Sequence, residues 1–499
     1  MNQIHRKDKG AYEAWTSTDT TTSIPLVVDL DGTLTPADTL AESVVQLIKN
    51  TPFNLLLMPL WILKGRAAFK DALASRTSIA AEQLPYNESL LAYLFAEREK
   101  GRRIILATAA HESIAKGVSE HLCLFDGVLA TDLSRNLKGL AKLKAIREGV
   151  AKEFVYAGNC HADIPIWRAA QAAILVGVSP SLADLLRRNI AIEREFPGEA
   201  IGAATWLCAL RAHQWLKNLL LFVPLLTAFS FMEMEKLAAV ALAFLAFSLA
   251  ASATYIGNDL WDLDNDRAHP RKRLRPFASA KIPILQGLAV AVSALVLAFI
   301  LAMRVSPGFF LILLLYVGMA SAYTWVLKKY VLIDVLLLSL LYTLRILAGS
   351  VAIGVVTSFW LQAFSIFIFL SLALVKRCAE LVALGQIGEQ AAQGRNYRVE
   401  DLVVLWPLGV GAALSAVVIF GLFISDPENQ ARYATPHLLW LVAVGLIYWM
   451  ARIWIKTSRG EMHDDPIIYA IKDRGSCITI LAMIIVTLAA HFFSLDIPN

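Results

Sequence analysis

Between Asn258 and Pro276 the chain reads NDLWDLDNDRAHPRKRLRP, with Asp259, Asp262 and Asp266 spaced three and four apart and five basic residues behind them. Side chains at that spacing share one face of a helix, and carboxylates gathered together repel unless a cation neutralises them. Mg2+ takes one or two carboxylates and completes its shell with water and substrate phosphates, so the cluster predicts a Mg2+ site that bridges to a diphosphate. Arg267, Arg271, Lys272, Arg273 and Arg275 read as a grip on the same phosphates through charge-assisted hydrogen bonds. Taken without the aspartates, they would equally suit a basic loop that only fixes topology. A second chemical pattern lies at Pro25–Thr33, PLVVDLDGT: an apolar strand ending in Asp29, with Asp31 two residues on and Gly32 as a turn. Phosphoryl transfer through an aspartate needs an attacking carboxylate, a second acid to protonate the leaving oxygen, and Mg2+ to relieve the crowding of charge. The carboxyl end of a strand in an open α/β sheet is where ligands bind.

The two patterns sit in different kinds of sequence. The 499 residues are 57% hydrophobic and 17% charged, with mean hydropathy +0.56, which is too apolar for a soluble protein of this size. Up to about Arg211 polar and apolar segments alternate as in a soluble domain. Beyond Leu216 come about nine apolar runs of bilayer-spanning length: Leu216–Phe231, Leu237–Ile256, Ile284–Met303, Phe309–Leu327, Val331–Ile353, Phe359–Val375, Leu402–Ile424, Leu438–Ile455 and Ile478–Phe493. Basic residues collect on the cytoplasmic side of membranes. One side here receives the Arg267–Arg275 loop, Lys281, Lys328, Lys329, Lys376, Arg377, Arg395, Arg398, Lys456, Arg459, Lys472 and Arg474, and the other receives Lys236, Arg304 and Arg432. This predicts a multi-pass protein of a cell inner membrane with a cytoplasmic N-terminal domain and the tail SLDIPN outside. The polar opening MNQIHRKDKG predicts no cleavable signal peptide. Cys123, Cys160, Cys208, Cys378 and Cys477 are scattered without a CxxC, which fits a reduced cytosolic face. The net charge of +5 belongs mostly to the loops, and nothing points to a nucleic-acid partner.

Two more apolar strands, Arg103–Ala107 ending in Thr108 and Phe154–Ala157 ending in Gly158-Asn159 with Asp163 beyond, follow the DxDGT strand in order. From Ser23 to Leu186 the chain resembles the haloacid-dehalogenase-like phosphatases, which implies an α/β Rossmannoid domain with a helical cap over residues 35–102. The resemblance implies Asp29 as nucleophile, Asp31 as general acid/base, Thr108 as a hydrogen-bond donor to the phosphate, and Asp29, Asp31, Asn159 and Asp163 around Mg2+. Asn159 stands where many members have aspartate, which shifts the burden to Asp163. The family's lysine falls on Lys142, with Lys138 in reserve. The apolar stretch LLLMPLWIL inside the cap is too short to span; it is expected as the cap's buried core, with the membrane surface as its alternative site.

The pattern NDxxDxxxDxxHPxKxxRP among these runs, with HQWLKN at His213–Asn218 ahead of the first, resembles the UbiA-type intramembrane prenyltransferases. That resemblance implies an all-α membrane domain with Asn258 and the three aspartates around Mg2+ and a diphosphate. The DxxxD of aromatic-acceptor members is missing from the loop KRCAELVALGQIGEQAAQGRNYRVEDL, which offers Lys376, Arg377 and Arg395 instead. This looks more like the decaprenyl-phosphate phosphoribosyltransferase branch, implying phosphoribosyl diphosphate as donor, a polyprenyl phosphate as acceptor and these cations on the 5-phosphate. The rival is a conventional transfer from a prenyl diphosphate to an aromatic or other small acceptor. Arg345, deep in an apolar run, is expected to face a polar cavity or substrate. Asp334 would pair with Lys328 or Lys329, Asp464 and Asp465 would be solvated loop charges, and His269 would shape the turn before Pro270. The expected domains are a flexible N-terminus at 1–22, the phosphatase at 23–186, a linker at 187–211 and the transferase at 212–499. A phosphoribosyl lipid keeps a 5-phosphate ester, and a phosphatase on the same chain would meet it at high effective concentration.

Overall fold

The computed structural model describes residues 24–133, 135–198, 201–386, 388, 395–462 and 465–494, with the backbone alone for Ile467 and Ile471. The expected N-terminal segment 1–22, Asp464 and all but the first residue of the tail lie outside these residues. The chain divides between Ala200 and Ile201 into two compact units.

The first unit is built on a six-stranded sheet: β1 Leu26–Val28, β2 Ile104–His111, β3 Gly127–Thr131, β4 Val155–Gly158, β5 Ala172–Val176 and β6 Ile192–Phe196, in the order β3-β2-β1-β4-β5-β6. Every pairing is parallel. Strands covered on both faces read as unbroken apolar runs, and Leu26, Val27 and Val28 are completely buried. Strand order reverses beside β1, where the chain runs outward to β3 and returns to β4. That reversal opens a crevice at the carboxyl ends of β1 and β4. The expected linker 187–211 instead holds β6. Its Ile192 and Phe196 cover the sheet while Glu193 and Glu195 between them pair with Arg102 and Arg187, a pattern suited to an edge strand.

Between β1 and β2 stand the cap helices α1 Thr39–Asn50, α2 Met58–Leu63 and α3 Arg66–Ala74. α1 starts where the Asp38 carboxylate accepts from the amides of Leu40 and Ala41. The expectation of LLLMPLWIL as a buried core is overturned. Trp61 packs inward, between Leu47 and Leu73 and beneath the Arg76 guanidinium, with Met58 half-buried against the same cluster, while Leu55, Leu56, Leu57, Leu60, Ile62 and Leu63 face outward. A six-residue helix against two neighbours buries one face only.

The second unit is helical. Among the described residues seven helical segments are long and apolar enough to cross a membrane: Met234–Trp261, Ile284–Val305, Pro307–Trp325, Ile333–Ala352, Val399–Ser425, Pro436–Ser458 and Arg474–Phe492. The expected sixth run lies in a 28-residue helix, Phe359–Gln386. The expected first run is not one α-helix. A 3-10 stretch over Ala212–Phe222 leads into a short α-helix at Val223–Thr227. Its buried Lys217 and Asn218 reach Asp465 and Arg345, and Gly349 admits it: a Cβ there would stand 2.1 Å from the Leu221 carbonyl oxygen. Helices 234–261 and 284–305 meet through alanines, Ala243, Ala246 and Ala250 facing Ala294, Ala298 and Ala302, the small-residue contact that lets helices approach closely in lipid.

Candidate active sites

In the first unit Asp29 leaves β1 with its amide bound to the Ala157 carbonyl of β4, which fixes its carboxylate at the crevice. Oδ1 accepts from the Leu30 amide at 2.8 Å and Oδ2 lies 2.9 Å from Lys142 Nζ. Lys142, on α4 Leu140–Gly149, also donates to the Tyr156 hydroxyl, which donates in turn to Asp163, each at 3.0 Å. The second Asp163 oxygen accepts from the amides of Asn159 and Cys160. Lys142 is thus the lysine on Asp29, and Lys138 lies on the cavity wall. Asp31 accepts from the Thr39 amide at 3.0 Å. Gly32, at φ +73°, leaves room for the Asn159 amide, whose Nδ2 would stand 2.0 Å from a Cβ there. Thr108 is completely buried, its Oγ1 accepting from Ala110, and the cavity wall is formed by the next residues, Ala109 to His111.

A cavity of about 290 Å³ joins Asp29, Asp31, Asn159, Asp163 and Lys142 to α1 and α3 of the cap. From the cap, Lys70 enters and donates to the Ala109 carbonyl and the Asn136 side chain. Its pattern-free surroundings and distance in sequence gave no signal of that role, nor was Tyr156 marked. Burial pushes the Asp31 carboxyl up to about 7, with the Thr39 amide opposing it. It also raises Asp29, against the pull of Lys142, and lowers Lys70. Crowded oxygen donors that resist ionisation fit a hard cation, and Mg2+ would need only some of them. Among the described residues no three His, Cys, Asp or Glu side chains form a group that could hold a metal by themselves.

In the second unit the three aspartates lie along the end of helix 234–261 and the short helix Leu263–Ala268, with helical amide bonds from Asp262 to Asn258 and from Asp266 to Asp262. Each carboxylate already faces a cation from another segment. Arg211 and Arg275 bind Asp259, Arg275 also binds Asp266 at 2.5 Å, and Lys328 binds Asp262 at 2.6 Å. Arg211 was outside the expected site, and Lys328 was expected on Asp334. Asn258 is half-buried at the same end, Arg267 holds the Ala278 carbonyl, and Lys272 is exposed. His269 accepts the amides of Arg271 and Lys272, shaping the turn as expected. The carboxylate oxygens suit Mg2+, and the cations between them are of the kind that would turn to a diphosphate.

A second polar knot gathers about Tyr342. Lys217 and Arg345 pack on its ring, and Asp465 binds Lys217 at 2.6 Å and Lys376 at 3.1 Å. The Asp465 side chain, 7% exposed, is therefore paired where a solvated loop charge was expected; Lys376 and Lys217, the latter in HQWLKN, hold its carboxyl well below the usual range although burial opposes them. Arg345 donates to the Asn218 side chain, the Tyr316 hydroxyl and the Leu341 carbonyl. Arg377 and Arg395 lie apart from this knot. Arg377 is completely buried between Asp334 and Glu380, Tyr397 closes on Asp334, and Arg395 binds Glu380 at 2.9 Å. The expected Asp334 pairing with Lys328 or Lys329 is thus replaced by one with Arg377, because helices 333–352 and 359–386 lie side by side. Both arginines hold carboxylates instead of offering open phosphate contacts.

Residues 26–168 match the haloacid dehalogenase-like hydrolases and residues 203–471 the UbiA prenyltransferase family. The uncharacterized protein y4nM of Sinorhizobium fredii is 38% identical over 91% of this chain and 88% of its own. Nodulation protein NoeC of Azorhizobium caulinodans is 35% identical over 56% of this chain and 91% of its own. Decaprenyl-phosphate phosphoribosyltransferase of Mycobacterium tuberculosis is 32% identical over 47% of this chain and 80% of its own. Among solved structures, a UbiA homolog from Archaeoglobus fulgidus bound to GPP and Mg2+ is 17% identical and covers 58% of this chain and 100% of its own, with TM-score 0.44. With its motif aspartates at the helix end and the match running over more than half its length, this integral membrane chain belongs to the UbiA prenyltransferase family and carries a haloacid dehalogenase-like hydrolase domain before it.

Proposed function

We propose that the membrane unit transfers a phosphoribosyl group from phosphoribosyl diphosphate to a polyprenyl phosphate in the bilayer, and that the first unit is a phosphatase acting on the product's 5-phosphate. The observation that carries this reading is the gathering of Lys217, Arg345 and Lys376 about Tyr342, three cations with Asp465 among them, which suits a substrate bearing more phosphate than an aromatic acid brings. The resemblance to proteins named decaprenyl-phosphate phosphoribosyltransferase supports it.

In this mechanism Asp259, Asp262 and Asp266 would hold Mg2+, which when bound would neutralise charge on the diphosphate. Arg211, Arg275 and Lys328 turn from the carboxylates to the departing pyrophosphate, and Lys217 and Lys376 hold the 5-phosphate. An acceptor phosphate oxygen attacks the ribosyl C1 as its bond to pyrophosphate breaks. In the first unit Asp29, aimed by Lys142, attacks the phosphorus of the ester while Asp31 delivers its proton to the leaving oxygen; water then attacks the phosphorus of the aspartyl phosphate, Asp31 takes its proton, and inorganic phosphate leaves with Asp29 restored. Asp29, Asp31, Asn159 and Asp163 are the residues that would hold Mg2+ there. The basic loops of the membrane unit support a reading in which its aspartate motif faces the cytoplasm of a cell inner membrane, with the first unit on the cytoplasmic side as well.

The test is to incubate membranes holding the chain with labelled phosphoribosyl diphosphate and polyprenyl phosphate, and in parallel with a prenyl diphosphate and aromatic acids. Label entering lipid in the first mixture, followed by release of inorganic phosphate, is the expected result. Product in the second mixture alone would establish ordinary prenyl transfer instead.

A further inference from the structure

The segment Pro52–Leu63 is a helical run of twelve residues, PFNLLLMPLWIL, made of a 3-10 turn followed by α2. Phe53, Leu56 and Leu63 are 83%, 77% and 83% exposed, and Leu55, Leu57, Leu60 and Ile62 are exposed beside them, whereas Trp61 at 9% anchors the run to the cap. Seven large apolar side chains on one short segment form a patch of the kind that marks an interaction site, not scattered surface residues. Along the chain the flanking charge has one sign. From Ser43 to Lys70 the sequence contains no Asp or Glu, while Lys49, Lys64 and Arg66 flank the apolar run. An apolar helical face bordered by basic residues is the chemistry of an interfacial helix, which buries its apolar side at the boundary of headgroup and acyl chain and draws anionic lipid to its flanks. Lipid is the apolar phase always at hand to an integral membrane chain.

We propose that Pro52–Leu63 docks the cap into the lipid headgroup region of the bilayer. The consequence for chemistry follows from the cap's construction. Leu47 on α1 and Leu73 on α3 grip Trp61 from either side, and the same two helices line the cavity that holds Asp29 and Asp31. Docking therefore fixes at the lipid surface the two helices that wall the phosphatase cavity, and it selects phosphate esters carried by membrane lipids over soluble ones. This selection rests on the phosphatase reading, whereas the docking itself does not.

The experiment uses the full chain in proteoliposomes containing anionic lipid, with the exposed Cys123, Cys208 and Cys477 changed to Ser and an environment-sensitive fluorophore on Leu56→Cys. Lipids brominated near the headgroup end of the acyl chain should quench that fluorophore as they quench one on Leu481→Cys in helix 474–492, and should spare one on Glu153→Cys. Quenching at position 56 no greater than at 153 overturns the proposal, whether water, a second copy or another protein surface covers the patch. A second measurement uses the Leu56→Gln/Leu60→Gln/Leu63→Gln variant. Phosphate release from a lipid-borne monoester should fall about tenfold, with release from a soluble aryl phosphate unchanged. An equal fall on both substrates would make the patch part of the cap's own fold and overturn the proposal. Quenching at position 56 without phosphate release from either substrate would leave docking standing and sink the phosphatase reading alone.

Discussion

Replacing Asp465 by Asn removes one negative charge from between two ammonium groups and tests whether the knot about Tyr342 is built as described. Lys217 Nζ lies 2.6 Å and Lys376 Nζ 3.1 Å from Asp465 Oδ2, and the side chains of Asp465 and Lys217 are only 7% and 9% exposed. Breaking a buried pair by removing one partner costs about 3–5 kcal/mol, because the remaining charge is left uncompensated. Lys376 is 40% exposed and swings to water, so its share is small and the lower end, about 3 kcal/mol, applies. In a domain of a few hundred residues that corresponds to a fall of roughly 6–12 °C in the unfolding midpoint, read by thermal denaturation of the purified chain in nanodiscs. Asp465→Asn/Lys217→Met, which removes both charges, should recover most of the loss. The pH dependence has a definite sign. The folded carboxyl is held below its unfolded value, so its contribution is fully present above about pH 4 and is lost as pH falls through the folded value. The wild-type chain should lose this component on acidification and Asp465→Asn should not. If Asp465→Asn melts with the wild-type chain, the carboxylate is not the counter-ion of Lys217 and the electrostatic account fails.

Asp262→Asn should abolish transfer to lipid while phosphate release from a soluble ester continues, since losing one metal carboxylate removes several kcal/mol of transition-state stabilisation at one site only; loss of both activities together would refute two separate sites. Asp29→Asn should stop phosphate release because an amide cannot attack phosphorus, and the phosphorylated lipid should accumulate in a product analysis. Gly32→Ala should raise the Mg2+ concentration needed for phosphate release about 10–100-fold by forcing Asn159 aside, and an unchanged Mg2+ titration would remove Asn159 from the metal site. Arg345→Ala leaves the Asn218 oxygen and the Tyr316 hydroxyl without their buried partner, and should lower the unfolding midpoint by several degrees as well as turnover.

The local chemistry was legible in the chain itself. DxDGT, the strand-end pattern and the aspartate-rich motif are short-range arrangements, and the backbone period alone places such residues at a strand end or along one helix face. Hydropathy likewise set out a soluble part followed by apolar runs. Tertiary structure decided what no local pattern encodes, which partners meet. Asp465 looked like a loop charge because its neighbours in sequence are polar, yet Lys217 and Lys376, 248 and 89 residues away, bury it. Lys70 reaches the cavity beside Asp29 only because the cap folds over the sheet, and Asp334 meets Arg377 only because two long helices lie side by side. The same limit explains LLLMPLWIL. Composition made it apolar, but whether an apolar run is core or surface depends on how much partner surface the surrounding helices supply, and here α1 and α3 supply enough for Trp61 and part of Met58.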